Sequence, residues 1–133
     1  MGLLDVNLAE RTELRLLDDN TEAELQISRA DITPNRSDPS RSNLALVFDV
    51  PAEPDVDDIR VWIPIPTDDQ REQDPKRHAK AMIRLEQFLQ AFDIQPPIET
   101  EEMVGKTGWA LVAEDEDQNG NPVNTVRRFM PKR

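Results

Sequence analysis

The chain has 133 residues, no cysteine and a formal net charge of -11. That length fits one domain that buries a core without disulfides or a metal staple. The absence of cysteine excludes a thiolate nucleophile and a cysteine-based zinc site, and it agrees with a reducing cytosol. No apolar run is long enough to span a membrane, and the first ten residues lack the basic flank and apolar stretch of a signal peptide. The expected location is therefore the cytoplasm.

The charge is unevenly spread. Acidic residues crowd positions 5–24, 53–74 and 99–117, and in the last of these Lys106 is the only base. Basic residues collect at Arg29, Arg36 and Arg41, at Lys76, Arg77, Lys80 and Arg84, and at Arg127, Arg128, Lys132 and Arg133. Net charge governs solubility and steering, whereas a local basic patch can still hold a phosphate chain. The alternative is that these residues are simply solvated faces.

Residues 1–20 read as an N-terminal extension or a short helix, and Leu14, Leu16 and Leu17 fit either a short helix or a first strand. The first clear strand spans residues 22–32, where Ala23, Leu25 and Ile27 alternate with Glu22, Glu24, Gln26 and Ser28. A polar loop over 33–43, with Pro34 and Pro39, punctuates the chain. The second strand, 44–50, sets Leu44, Leu46, Phe48 and Val50 on one face. After a turn over 51–58, the third strand alternates Ile59, Val61, Ile63 and Ile65 with Arg60, Trp62 and Pro64. These two strands are expected to pair as an antiparallel hairpin with Leu46, Phe48, Val61 and Ile63 on one core.

A helix of about eighteen residues, roughly 27 Å long, follows. Asp74 is its cap, Pro75 its first residue, and Pro96-Pro97 bars continuation. Met82, Leu85, Leu89 and Phe92 form its expected buried stripe, widened by Ile83 and Phe88. The fourth strand, 109–113, and the fifth, about 123–130, flank Asn119-Gly120, which suits a type I′ hairpin turn. Residues 131–133 form a basic tail. The order of three strands, a helix and two strands is that of an OB-fold, a five-stranded Greek-key barrel with the helix between strands three and four. The fold expected for residues 21–130 is mainly β with one long helix, in a single domain over 1–133.

Three stretches carry a family resemblance: the early strand at 22–32, the segment Arg84-Leu-Glu-Gln-Phe-Leu-Gln-Ala-Phe92, and Val104-Gly-Lys-Thr-Gly-Trp-Ala-Leu-Val112. An acidic turn with Asn119-Gly120 then leads to Asn124-Thr-Val-Arg-Arg-Phe129. Over residues 14–130 the chain resembles the small OB-fold single-stranded-DNA-binding proteins of bacteriophages. The resemblance implies a role in protecting or presenting single-stranded DNA during replication or recombination, with protein partners from those processes. Many such proteins end in an acidic, partner-recruiting tail. This chain has Arg127, Arg128, Lys132 and Arg133 there instead.

Catalytic and metal chemistry find little support. The single histidine, His78, lies in line with the helical stripe and reads as a structural residue. Asp115-Glu-Asp117 lacks the alternating ligands and terminal Glu of a calcium loop. Gly105-Lys106-Thr107 lacks the preceding glycine of a phosphate loop and opens a strand rather than a helix. No cofactor is implied, and a non-enzyme is expected.

Single-strand binders combine a basic groove with aromatic platforms on which bases stack. Trp62 shares the wet face of its strand with Arg60 and is either such a platform or a residue packed under the helix or in a dimer interface. Trp109 is expected in the core and Phe129 at the surface. The candidate nucleic-acid-binding residues are Arg29, Arg36, Arg41, Arg60, Trp62, Lys106, Arg127 and Arg128. A rival reading from a different class is a protein-interaction or virion-assembly subunit, with Trp62 as an interface anchor. Self-association is compatible with either reading.

Overall fold

The alternating stretches become strands of a single antiparallel sheet in the computed structural model, which describes residues 1–11 and 13–131. In chain order the elements are β1 (Thr21–Pro34), β2 (Ser42–Asp49), β3 (Ile59–Pro64), α1 (Asp68–Gln73), α2 (Pro75–Ala91), α3 (Thr100–Met103), β4 (Thr107–Glu116) and β5 (Pro122–Met130). The sheet order is β3-β2-β1-β4-β5. The sheet curls until β3 and β5 come into contact, yet no ladder joins these two edges among the described residues. The architecture is therefore mainly β with one long helix between the third and fourth strands, and the sheet is not closed. Lys132 and Arg133 lie outside the described residues.

β2 and β3 form the expected hairpin, with Leu46 opposite Val61 and Phe48 opposite Ile59. Leu46, Phe48, Val61 and Ile63 are all buried. Two register shifts interrupt the simple alternation. In β1 the pairing with β2 slips between Ile27 and Arg29, so Ala30 returns to the core after Ala23, Leu25 and Ile27. In the β4–β5 pair it slips between Leu111 and Val112, so Val126 and Phe129 both turn inward while Arg127 and Arg128 both face out. An extra residue on one strand reverses the phase of everything after it.

The core centres on all four phenylalanines of the chain. Phe48, Phe88, Phe92 and Phe129 touch in every pairwise combination, with ring centroids 5.0 to 6.4 Å apart. Those separations suit tilted and edge-to-face aromatic packing. Phe129 is fully buried, contrary to the surface position expected for it: the register shift carries it inward.

Helix α2 begins as its sequence dictates, with Pro75 at its start and the Asp74 carboxylate accepting the Arg77 N–H at 3.2 Å. Its buried face differs from the expected stripe. Ala81, Phe88 and Ala91 are buried, Leu85 and Leu89 are half-buried, and Met82 and Ile83 are exposed. The two rings at positions 88 and 92 set the rotation of the helix, and Met82 sits about 120° round the axis from Phe88 at 100° per residue. Gly108 allows the helix end to close on β4. A Cβ there would lie 2.7 Å from the Ala91 carbonyl oxygen and 2.8 Å from the Phe92 ring.

The N-terminal extension is neither a regular helix nor a strand. Among its described residues it makes one 3-10 turn, Leu8–Glu10, and a single bridge from Arg15 to Val56. Leu17 is buried and is tied down by Asn124, a buried polar side chain on β5. The Asn124 amide accepts from the Leu17 N–H at 2.8 Å and donates to the carbonyls of Leu17 and Ala113 at 3.0 and 3.2 Å. The β4–β5 turn also departs from expectation. Asn119 does not take positive φ; only Gly120 does, at 78°, and its N–H donates to the Asp117 carbonyl. The loop is thus the three-residue kind with a left-handed glycine rather than a type I′ turn.

The Phe88→Ala variant should lose about 3–5 kcal/mol of stability, whereas Met82→Ala should stay within about 0.5 kcal/mol of wild type. Urea denaturation of the two variants measures both. Gly108→Ala should also destabilise, by roughly 1–3 kcal/mol, because backbone stands where its methyl would go.

Candidate nucleic-acid interface

The wet face of β1, β2 and β3 is organised in cross-strand rows. Val47 on β2 pairs with Arg29 on one side and Arg60 on the other. Ala45 likewise pairs with Asp31 and Trp62. Arg29, Arg60 and Trp62 therefore share one surface, and the Trp62 indole is 60% exposed. It does not pack under the helix. Arg29 makes an exposed ion pair with Asp31 at 2.8 Å, an interaction of little energetic weight that leaves the guanidinium available to solvent.

Trp62 stands where two clefts meet. One runs to the β1–β2 loop and includes Arg36 and Asn43; the other runs over Arg60 toward β5. The β1–β2 loop that presents Arg36 is built by short polar side chains. Asn35 accepts from the Ser37 N–H at 2.9 Å, and Asp38 accepts from the Ser40 hydroxyl at 2.6 Å and the Ser40 N–H at 3.1 Å. These bonds, with the nearby Arg41 charge, hold the Asp38 carboxyl below its usual range. The Arg41 guanidinium is paired with Asp38 at 3.2 Å and is largely covered.

The remaining candidates lie elsewhere. Lys106 sits at the turn into β4, where its carbonyl accepts the Ile27 N–H. Arg127 bonds the Asp19 and Asn20 side chains and so fastens the N-terminal segment to β5. Arg128 pairs across Leu111 with Glu22, on the far half of the sheet. Arg36 and Arg60 thus share clefts with Trp62, Arg29 lies two strands away on the same face, and Lys106, Arg127 and Arg128 are not brought to it. Arg84 serves the fold. It donates to the Val126 and Arg127 carbonyls at 2.9 and 3.3 Å and lies over the Phe129 ring at 4.8 Å. Burial lowers its pKa. It also covers carbonyls of an edge strand, which would otherwise invite pairing with another chain.

Two features were not read from the sequence. The start of the β4–β5 loop brings Glu116 and Asp117 into both clefts, opposite Trp62. Trp109, expected in the core, lies 49% exposed on the outer face of β4. The inward positions of that strand are Gly108, Ala110 and Val112. Among the described residues no group of three or more His, Asp or Glu side chains is placed to share a metal ion. No helix among them is long and apolar enough to cross a membrane.

No protein-family model matches the chain, and no curated protein matches it either.

Asp117 organises the loop beside Trp62. Its carboxylate accepts the Asn121 and Asn119 N–H groups, both at 2.9 Å, and these bonds hold its pKa below the usual 3.8. A carboxyl depressed in the folded state stabilises above its unfolded pKa, and that contribution is lost as pH falls through the folded value. Amide exchange at Asn119 and Asn121 should therefore speed up, relative to its intrinsic rate, on acidification below about pH 4. Asp117→Asn should remove that dependence, as measured by NMR.

Proposed function

We propose that this protein binds single-stranded DNA across the outer face of β2 and β3, on an OB-type scaffold, without catalysing a reaction. The observation that carries the reading is the exposed Trp62 indole in clefts that it shares with Arg60 and Arg36. The scaffold reading rests on the strand order, with β3 and β5 as touching but unpaired edges of a curled sheet. A partly open five-stranded barrel of the OB type has that arrangement. It binds oligonucleotides over strands two and three, between the first-to-second and fourth-to-fifth strand loops. Those loops flank Trp62 here.

The chemistry divides the surface. Glu116 and Asp117 in both clefts, and Asp57, Asp58 and Asp115 in the cleft over Arg60, repel phosphate, so the DNA backbone keeps to the side of Arg36 while a base stacks on Trp62. The net charge of -11 opposes long-range approach, which makes affinity depend on short-range contacts. Resemblance to phage single-strand binders supports a role in phage replication or recombination. The acidic side of the same clefts favours one rival, an interaction subunit that docks a basic protein on Trp62.

Titration with an oligothymidine should quench tryptophan fluorescence at low salt, and duplex DNA should bind less well. Trp62→Ala should cost roughly 1–3 kcal/mol of affinity with little dependence on base sequence. Arg36→Ala should weaken binding evenly across sequences and lower the salt slope by about one unit. Absence of quenching by oligothymidine at low salt would overturn the single-strand reading in favour of the interaction subunit.

A further inference from the structure

Carboxylates are out of place on a surface that meets phosphate, yet Glu116 and Asp117 line both clefts together with Trp62. The cleft toward the β1–β2 loop has a volume of about 790 Å³, within the roughly 300–1,000 Å³ of small-molecule sites. The two carboxylates differ in what they already hold. Asp117 accepts the Asn119 and Asn121 N–H groups and is committed to its own loop. Glu116 is the last residue of β4, where its backbone is paired with Pro122 of β5. Its side chain is exposed, and among the described residues no ion pair engages its carboxylate.

We propose that Glu116 reads the Watson–Crick edge of the base stacked on Trp62 and selects guanine. The inference rests on the single-strand reading of this site. An ionised carboxylate has two oxygens and offers only acceptors. Guanine presents two donors side by side, N1–H and the N2 amino group, which match those oxygens as parallel charge-assisted hydrogen bonds. Each other base sets its donor beside an acceptor: adenine N6 beside N1, cytosine N4 beside N3, and thymine N3–H between two carbonyl oxygens. The acceptor then faces the second carboxylate oxygen and is repelled. Stacking on the indole tolerates any base, so Trp62 holds a base and Glu116 chooses it. The same negative charge turns the base edge, and not the phosphate chain, toward the β4–β5 loop.

The test is fluorescence anisotropy of a short labelled oligothymidine carrying one central guanine, adenine, cytosine or hypoxanthine, titrated with the full chain at low salt. The guanine strand should bind about fivefold or more tightly than the all-thymine strand. Hypoxanthine, which lacks the N2 amino group, should fall between guanine and adenine. Glu116→Gln should abolish the preference and keep the binding of oligothymidine. Glu72→Gln, on α1 and lining neither cleft, should leave the preference intact. Circular dichroism confirms that each variant is folded. An equal gain from guanine and adenine overturns the proposal, because purine stacking alone would give it. A guanine preference that survives Glu116→Gln also overturns it, because an arginine at O6 and N7 would then be the reader. Binding of oligothymidine with no gain from guanine overturns the choice of base alone. Failure of every strand to bind overturns the single-strand reading, and this inference with it.

Discussion

Four aromatic rings meet where the two halves of the sheet curl toward each other. Phe48 comes from β2 and Phe129 from β5, strands separated in the sheet by β1 and β4. Phe88 and Phe92 enter from the end of α2 and fill the space between them. The sheet is not closed by hydrogen bonds at its β3 and β5 edges, so these rings supply a contact across its interior that a ladder does not. Their size also fixes how the helix is rotated and why Gly108 must be small. Dense packing of this kind leaves little freedom for any one ring to move without the others.

The outer surface follows from that constraint. With the inward face committed to the aromatic cluster, the residues between inward positions are pushed out, and the two register shifts decide which ones. The slip in β1 leaves Arg29 outside, across Val47 from Arg60. The slip between β4 and β5 leaves Arg127 and Arg128 outside, on a part of the sheet remote from Trp62. Basic residues close together in sequence thus take up separate duties. Arg84 and Arg127 tie elements together, Arg41 closes its own loop, and Arg36 and Arg60 line the clefts at an exposed indole.

The two tryptophans divide the chemistry of the surface. Trp62 has Arg36 and Arg60 beside it, with Asp57 and Asp58 next to Arg60 and the acidic start of the β4–β5 loop opposite, whereas among the described residues the charged groups lining a cleft at Trp109 are Glu22, Glu24 and Asp93. A protein with net charge -11 can carry surface regions of different local charge because Coulomb attraction between exposed groups fades over about a Debye length, roughly 8–10 Å at moderate salt. Each cleft is therefore governed mainly by the groups that line it.

Much of this architecture was legible in the residues themselves. Strict alternation marked β2 and β3 and their shared core face, because a period of two is a local property of the backbone. Asp74-Pro75 marked the start of α2 for an equally local reason, the unpaired N–H groups of a first helical turn. Alternation also set Trp62 on the same face as Arg60, but whether the indole was exposed or packed under the helix was decided by the tertiary structure. What alternation cannot state is where the phase reverses, and so Phe129 was expected outside although a register shift turns it in. Nor does it state which strands become neighbours. Trp109 was expected in the core because it is large and apolar, but Gly108, Ala110 and Val112 hold the inward positions where β4 meets the helix. The approach of Glu116 and Asp117 to Trp62 joins segments more than fifty residues apart. Only the tertiary structure decided it, because the curl of the sheet brings the β4–β5 loop against β3.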